Sequence, residues 1–192
     1  MNDYHLGGCV IDGDPGTFAP QVWDKIIEIY NPKTFIDVGC GAGHSVKYFL
    51  DKNLDGIGVE GYQEAIKRSK VSGNIVCHDY TSGPFVPESD FDFAWCCEFV
   101  EHVEEKYKDN FMKTFSKCKL VAMTHAIPGQ PGFHHVNCQP AEYWIDTFSK
   151  YGFEYLETES IMLRKLLFNE DGSWKPNGGH VRNTLMLFKR KN

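Results

Sequence analysis

The sequence contains no run close to the ~20 apolar residues that a membrane span requires, and Met1–Gly8 lacks the basic start and apolar stretch of a secretory signal. A chain without membrane contact, in the cytoplasm, is the expectation. It also has no Cys-x-x-Cys pair. Its seven cysteines are odd in number and scattered, with Cys96 and Cys97 adjacent in an apolar run, which speaks against a disulfide scaffold or a structural zinc site and for reduced thiols. Positive charge is in deficit: 20 Lys and Arg against 26 Asp and Glu leave a net charge of -6, so nucleic acid gripped through many phosphates is a disfavoured partner. No repeat, low-complexity stretch or linker divides the chain. With 42% hydrophobic and 24% charged residues the composition is that of a globular protein, and 192 residues suit one domain.

What is present is an alternation of two periodicities. Residues 1–17 read as a flexible N-terminal segment rich in glycine and aspartate. Residues 18–31 read as a leading amphipathic helix, with Val22, Trp23, Ile26, Ile27 and Tyr30 at three- and four-residue spacing and Asn31-Pro32 as its stop. The core, 34–192, opens on the β-rich run Thr34–Val38, a glycine turn and a helix, and the pattern then repeats. Strands are predicted at 57–60, 75–77, 91–97, 120–123, 152–156 and 184–188. Helices are predicted at 62–70, 100–115 and 140–150, residues 161–168 form a helical or extended insertion, and 169–180 read as a loop. Strands alternating with helices imply an α/β fold, a doubly wound, mostly parallel seven-stranded sheet with helices on both faces. Such sheets bind ligands beyond the carboxyl ends of their strands.

The residues at those ends carry the chemistry. After the first strand comes Asp37-Val38-Gly39-Cys40-Gly41-Ala42-Gly43-His44, a turn that lets backbone approach a ligand and aims a helix N-terminus at it. His44 stands where a dinucleotide fingerprint wants its third glycine, and Asp37 suits a cationic or amino-bearing ligand better than a pyrophosphate. The run closely resembles the first motif of class I S-adenosylmethionine-dependent methyltransferases, and the succession of strands fits that family's Rossmann-like fold. The resemblance implies that Gly39, Cys40, Gly41 and Gly43 wrap the amino-acid part of S-adenosylmethionine and that Asp37 orients its ammonium. It implies that Glu60 accepts both ribose hydroxyls, with Gly61 and Tyr62 against ribose and adenine. His78, Asp79 and Tyr80 end the third strand, Asp79 at the adenine position, and Cys97 and Glu98 close over the cofactor. Singly, each of these residues is a turn, a solvated strand end or a cap; together they occupy consecutive strand ends.

Glu98, Glu101 and His102 fall at helical spacing i, i+3 and i+4, and would share one face if a helix began near Glu98. With His134 or His135 they would bind a divalent metal, Mg or Mn. This stretch resembles the magnesium-binding set of ubiquinone O-methyltransferases and small-RNA 2′-O-methyltransferases; the plain alternative is a helix start with acids near its positive end. His135, His134 and His125 are candidate general bases for a hydroxyl acceptor. The loop Gly129–Val136 and the segment before Phe18 are expected to cover the acceptor pocket. The resulting expectation is a methyltransferase for a small-molecule acceptor or small exposed group, acting on oxygen. RNA 2′-O-methylation and a silent cofactor-binding subunit are the alternatives, and a homodimer is left open.

Overall fold

The computed structural model describes residues 3–6, 8 and 10–191. Helix α1 (Pro20–Tyr30) has proline in its first turn and ends at left-handed Asn31, whose N–H donates to Ile27 O. There follow β1 (Thr34–Val38), α2 (His44–Asp51), β2 (Asp55–Glu60), α3 (Gln63–Arg68), β3 (Ile75–Cys77), β4 (Phe91–Cys96), α4 (Lys108–Phe115), β5 (Cys118–Met123), α5 (Ala141–Lys150), β6 (Phe153–Tyr155), α6 (Glu157–Lys165), α7 (Gly179–Thr184) and β7 (Met186–Arg190). The seven strands form one sheet in the order β3-β2-β1-β4-β5-β7-β6. The five strands from β3 to β5 are parallel, and β7 runs antiparallel to both β5 and β6.

The alternation along each strand sorts the core into two layers, because successive side chains leave a strand on opposite faces. Phe35, Phe93, Trp95, Leu120, Ala122 and Leu187 face one way and pack with Val22, Trp23 and Ile26 of α1, Val46 and Phe49 of α2, and Leu163 of α6. Ile36, Val38, Ala94, Cys96, Val121, Met123 and Phe188 face the other way, under Phe111 and Phe115 of α4 and Trp144 and Phe148 of α5. Asp37 lies on the first face at the end of β1, where only 1% of it is exposed.

The structure departs from the sequence reading at residues 98–107. The helix expected over 100–115 is broken into two single 3-10 turns, Val100–His102 and Glu105–Tyr107, before α4 begins at Lys108. Glu98 has φ 51, in the left-handed region, and lies outside any helix. The reason is long-range: the Glu101 carbonyl, which a continuing helix would use, accepts the N–H groups of Val136 and Asn137 at 2.9 and 3.0 Å. Val103 is then extended, at φ -104 and ψ 119. Two smaller differences follow from packing. The insertion at 161–168 is mostly the helix α6, and the expected loop 169–180 gives way at its end to the unforeseen helix α7.

Phe148 is fully buried, stacked on Phe188 at 3.9 Å between ring centroids, with Phe115 and Phe153 against it. Phe148→Ala is expected to cost about 3–5 kcal/mol, the usual loss for a large core aromatic. The urea midpoint measured on the purified variant reads this loss directly; a midpoint within error of the parent's would show that the layer repacks around the gap.

Candidate active site

The carboxyl ends of β1 to β4 open into a cavity of about 430 Å³. Its floor is the turn after β1. Gly39 has φ 75, and a Cβ there would lie 2.5 Å from the Phe99 ring, so only glycine lets the end of β4 close on the turn. The Gly39 and Cys40 N–H groups donate to Val59 O, which folds the turn back on β2. Glu60, at the end of β2, clasps it: Oε2 accepts the Gly41 N–H and Oε1 the Tyr62 N–H, both at 2.8 Å. Burial raises the Glu60 carboxyl above its ordinary range against the pull of those N–H groups. Each oxygen keeps a further lone pair for a ligand in the cavity.

Asp37 accepts a hydrogen bond from Ser45 Oγ, one residue into α2. Burial pushes its carboxyl up to about 7; the Ser45 hydroxyl acts downward and the nearby Glu60 upward. A buried carboxyl with no cation beside it is poised to gain one. At the end of β3, Asp79 is occupied differently. Its oxygens accept Thr81 N–H at 2.8 Å, Thr81 Oγ at 2.7 Å and His5 Nε2 at 3.1 Å. Desolvation acts upward on Asp79, but these bonds together hold it below the usual range. His78, Tyr80 and Cys97 also line the cavity, as do Cys40, Gly41, Gly61 and Glu98. The Tyr80 hydroxyl is turned to Thr114 at 2.9 Å, and burial drives the Cys97 thiol well above its ordinary value, so neither supplies an anion to the site. Gly43 and Tyr62 lie outside the cavity wall: Gly43 caps α2, and Tyr62 contributes its N–H to Glu60.

The fourth and fifth strand ends hold the histidines. Glu98 donates its N–H to Thr124 Oγ at 2.9 Å and accepts that hydroxyl at Oε1 at 2.8 Å, while Oε2 meets His180 Nδ1 at 3.1 Å. His180 Nε2 reaches Asp14 at 3.2 Å. An imidazole bonded to carboxylates through both nitrogens donates from both, so it is held as the cation. Its pKa is raised, first by the Glu98 hydrogen bond, against desolvation. Glu98 thus turns to His180. Glu101, His102 and His135 come together instead, each offering a ligand atom within 4.8 Å of the others.

This trio is short of partners. Both Glu101 carboxyl oxygens and His102 Nδ1 are buried without a well-formed hydrogen bond among the described residues, the Glu101 carboxyl lying against that of Glu98. Burial, with the Glu98 charge second, pushes the Glu101 carboxyl well above the carboxylate range, and burial likewise lowers His102. His135 Nδ1 donates to Gln130 O at 3.1 Å, which leaves the Nε2 lone pair to a ligand, the arrangement usual in metal-bound histidines. The tandem histidines diverge: the His135 ring is 5.1 Å from His102 and the His134 ring 6.4 Å from His5. His125 is 3% exposed, bonds Ala126 O and stands outside the cavity wall. Of the imidazoles in the trio only His102 reaches that wall.

Ser45, Thr124, His180 and Asp14 were not singled out from sequence. A hydroxyl in the first turn of the helix after the glycine turn was a signal for Ser45. No local pattern marks the other three.

The Asp37 carboxyl has a consequence for the free protein. Its folded pKa lies above the unfolded value of 3.8, so the neutral group favours folding below about pH 4, and that contribution is lost as pH rises to about 7. Urea unfolding across this window is expected to show a falling stability that is shallower in Asp37→Asn. Equal slopes in both proteins would place the titration elsewhere.

No curated protein matches the chain by sequence. A family model described as a methyltransferase domain matches residues 36–121, from β1 through β5. Among solved structures the sugar N-methyltransferase KedS8 from Streptoalloteichus sp. superposes with a TM-score of 0.66 at 12% identity, over 97% of this chain and 94% of that one. The plantazolicin methyltransferase BpumL, in complex with SAH, gives 0.60 at 13% identity, over 90% and 83%. The small RNA methyltransferase HEN1 gives 0.56 at 17% identity over 94% of this chain but 26% of its own length. The methyltransferase-domain match thus spans the glycine turn and the acidic strand ends, and the seven-stranded sheet has the order of the Rossmann-like methyltransferase fold.

Proposed function

We propose that the protein methylates a hydroxyl of a small acceptor molecule, with a divalent ion held by Glu101, His102 and His135. The observation that carries the metal is the buried Glu101 carboxyl, which has no N–H donor and only the Glu98 carboxyl beside it, within ligand distance of two imidazoles. An unpaired buried charge is too costly to keep unless the site binds a cation or the group stays protonated. One carboxylate with two imidazoles suits manganese better than magnesium, which prefers an all-oxygen set. Such an ion, when bound, lowers the pKa of an acceptor hydroxyl. Glu98 lies outside this set because His180 and Thr124 take its oxygens.

When bound, S-adenosylmethionine would supply the methyl of its sulfonium for in-line displacement by the acceptor oxygen, the sulfur leaving as the neutral thioether of S-adenosylhomocysteine. This chain's part is to hold and exclude. Asp37 would take the cofactor ammonium and Glu60 the ribose hydroxyls. Catalysis of this kind rests on orientation, worth several kcal/mol without a reacting side chain. The acceptor should be neutral or cationic. Six carboxyl groups line the cavity, Asp12, Asp14, Asp37, Glu60, Asp79 and Glu98, and among the described lining residues there is no lysine or arginine. RNA 2′-O-methylation is the second reading, favoured by the fold likeness to HEN1 and opposed by this wall.

Turnover of methyl-labelled cofactor against pools of small hydroxyl and amine compounds and of short RNAs tests the assignment. Label is expected in the hydroxyl pool; label confined to RNA or to amines would replace the reading. For the metal, exhaustive chelation should abolish turnover and added manganese restore it. Glu101→Gln and His135→Ala are each expected to lower kcat more than a hundredfold with cofactor affinity within about twofold. Full activity after chelation would remove the ion and leave His102 or His135 as the general base.

A further inference from the structure

Residues 10–18 cross the mouth of the cavity. Val10, Asp12, Gly13, Asp14, Thr17 and Phe18 all line it, opposite the glycine turn. The crossing is held by two unlike attachments. At its end Phe18 packs edge-on to Trp23 at 5.1 Å and near Tyr48, continuous with the buried core of α1 and α2. Along its length the contacts are polar and few. His44 Nε2 donates to Ile11 O at 3.2 Å, Gly178 N–H to Pro15 O at 2.8 Å, and His180 N–H to Gly16 O at 3.0 Å, while Asp14 meets His180 Nε2 at 3.2 Å. Gly16 sits so close to the His180 ring that a Cβ there would lie 2.5 Å from it. Val10 is 56% exposed. A segment with an apolar hinge and a polar far side opens locally at little cost, because no large apolar area is exposed by the movement.

The other side of the same imidazole holds Glu98 at 3.1 Å, and Glu98 lines the cavity just beyond the end of β4. One side chain therefore joins the covering segment to the strand end on the far side of the cavity. We propose that residues 10–18 form a strap hinged at Phe18 and latched by His180 between Asp14 and Glu98, which must unlatch for S-adenosylmethionine to enter and its demethylated product to leave. The inference rests on the cofactor reading above for what the cavity holds. His180 is on this account a positioning residue, setting the lifetime of the bound cofactor rather than touching the acceptor.

The test uses the full chain with Asp14→Asn and His180→Gln, separately and together, in two measurements. Amide hydrogen exchange on the free proteins reads the latch without any ligand: both variants are expected to speed exchange at residues 10–18 at least fivefold and leave β1 and β4 unchanged. Stopped-flow dissociation of S-adenosylhomocysteine is expected to accelerate at least fivefold in each single variant and no further in the double, because both remove one interaction. Unchanged exchange and unchanged dissociation in Asp14→Asn, whose side chain is on the surface, would overturn the latch. An additive double variant would also overturn it, by separating the two residues. If the parent protein binds neither sulfur cofactor, the cofactor reading fails while the exchange measurement still decides the latch.

Discussion

A carboxylate that accepts two backbone N–H groups at the end of β2 organises the whole upper edge of this sheet. Glu60 ties the glycine turn on one side to the start of α3 on the other, through Gly41 and Tyr62. With the turn drawn back on Val59 O, Gly39 faces Phe99, and the chain leaving β4 can pass directly over it. The absence of a Cβ at Gly39 and the clasp at Glu60 are thus one constraint seen from two strands. It places Asp37, Glu60 and Glu98 around a single volume. Just beyond it Glu98 has a left-handed backbone, and Glu101, three residues on, is buried in the interior.

Much of the fold was legible because its signals are local. The two-residue alternation in Thr34–Val38 and Phe91–Cys96 assigns each side chain to a layer, and the layers found are those the alternation implies. The acids at strand ends were legible for a similar reason, since a glycine turn and a topology of repeated strand and helix fix which residues meet. Residues 98–107 were not. Their spacing is helical, and the helix is prevented by N–H groups from Val136 and Asn137, some 35 positions away. Which of His134 and His135 meets His102 is likewise contained in no periodicity, since the backbone at His134 is left-handed and the two rings diverge. His180 was invisible for the plainest reason: its partners, Asp14 and Glu98, lie on segments that share no sequence neighbourhood with it.

The distribution of charge around the cavity suits the proposed function, in which a cationic cofactor and a neutral or cationic acceptor share one small domain. Acids in and beneath the cavity show three degrees of satisfaction. Asp79 is filled by Thr81 and His5, Glu60 is half filled by backbone, and Asp37, with the Ser45 hydroxyl, and Glu101, buried behind the wall, have the fewest donors. The least satisfied groups are the most buried, so the free energy spent in hiding them is recovered only when a cation arrives. Stability and ligand affinity are in that sense opposed at these two positions.

The position of β7 bears on how the chain is made. It follows the other six strands in sequence, yet it lies inside the sheet, between β5 and β6, and among the described residues β6 has no other neighbour. A nascent chain emerging from the ribosome as far as Tyr155 can assemble the five parallel strands, but β6 then has nothing to pair with, and the outer edge of β5 stands open. Folding of this half must wait until Arg190 has cleared the exit tunnel. Until then β5, with Val121, Ala122 and Met123 all buried in the finished protein, presents an unpaired apolar edge, the kind of surface on which chaperones act and on which crowded chains aggregate.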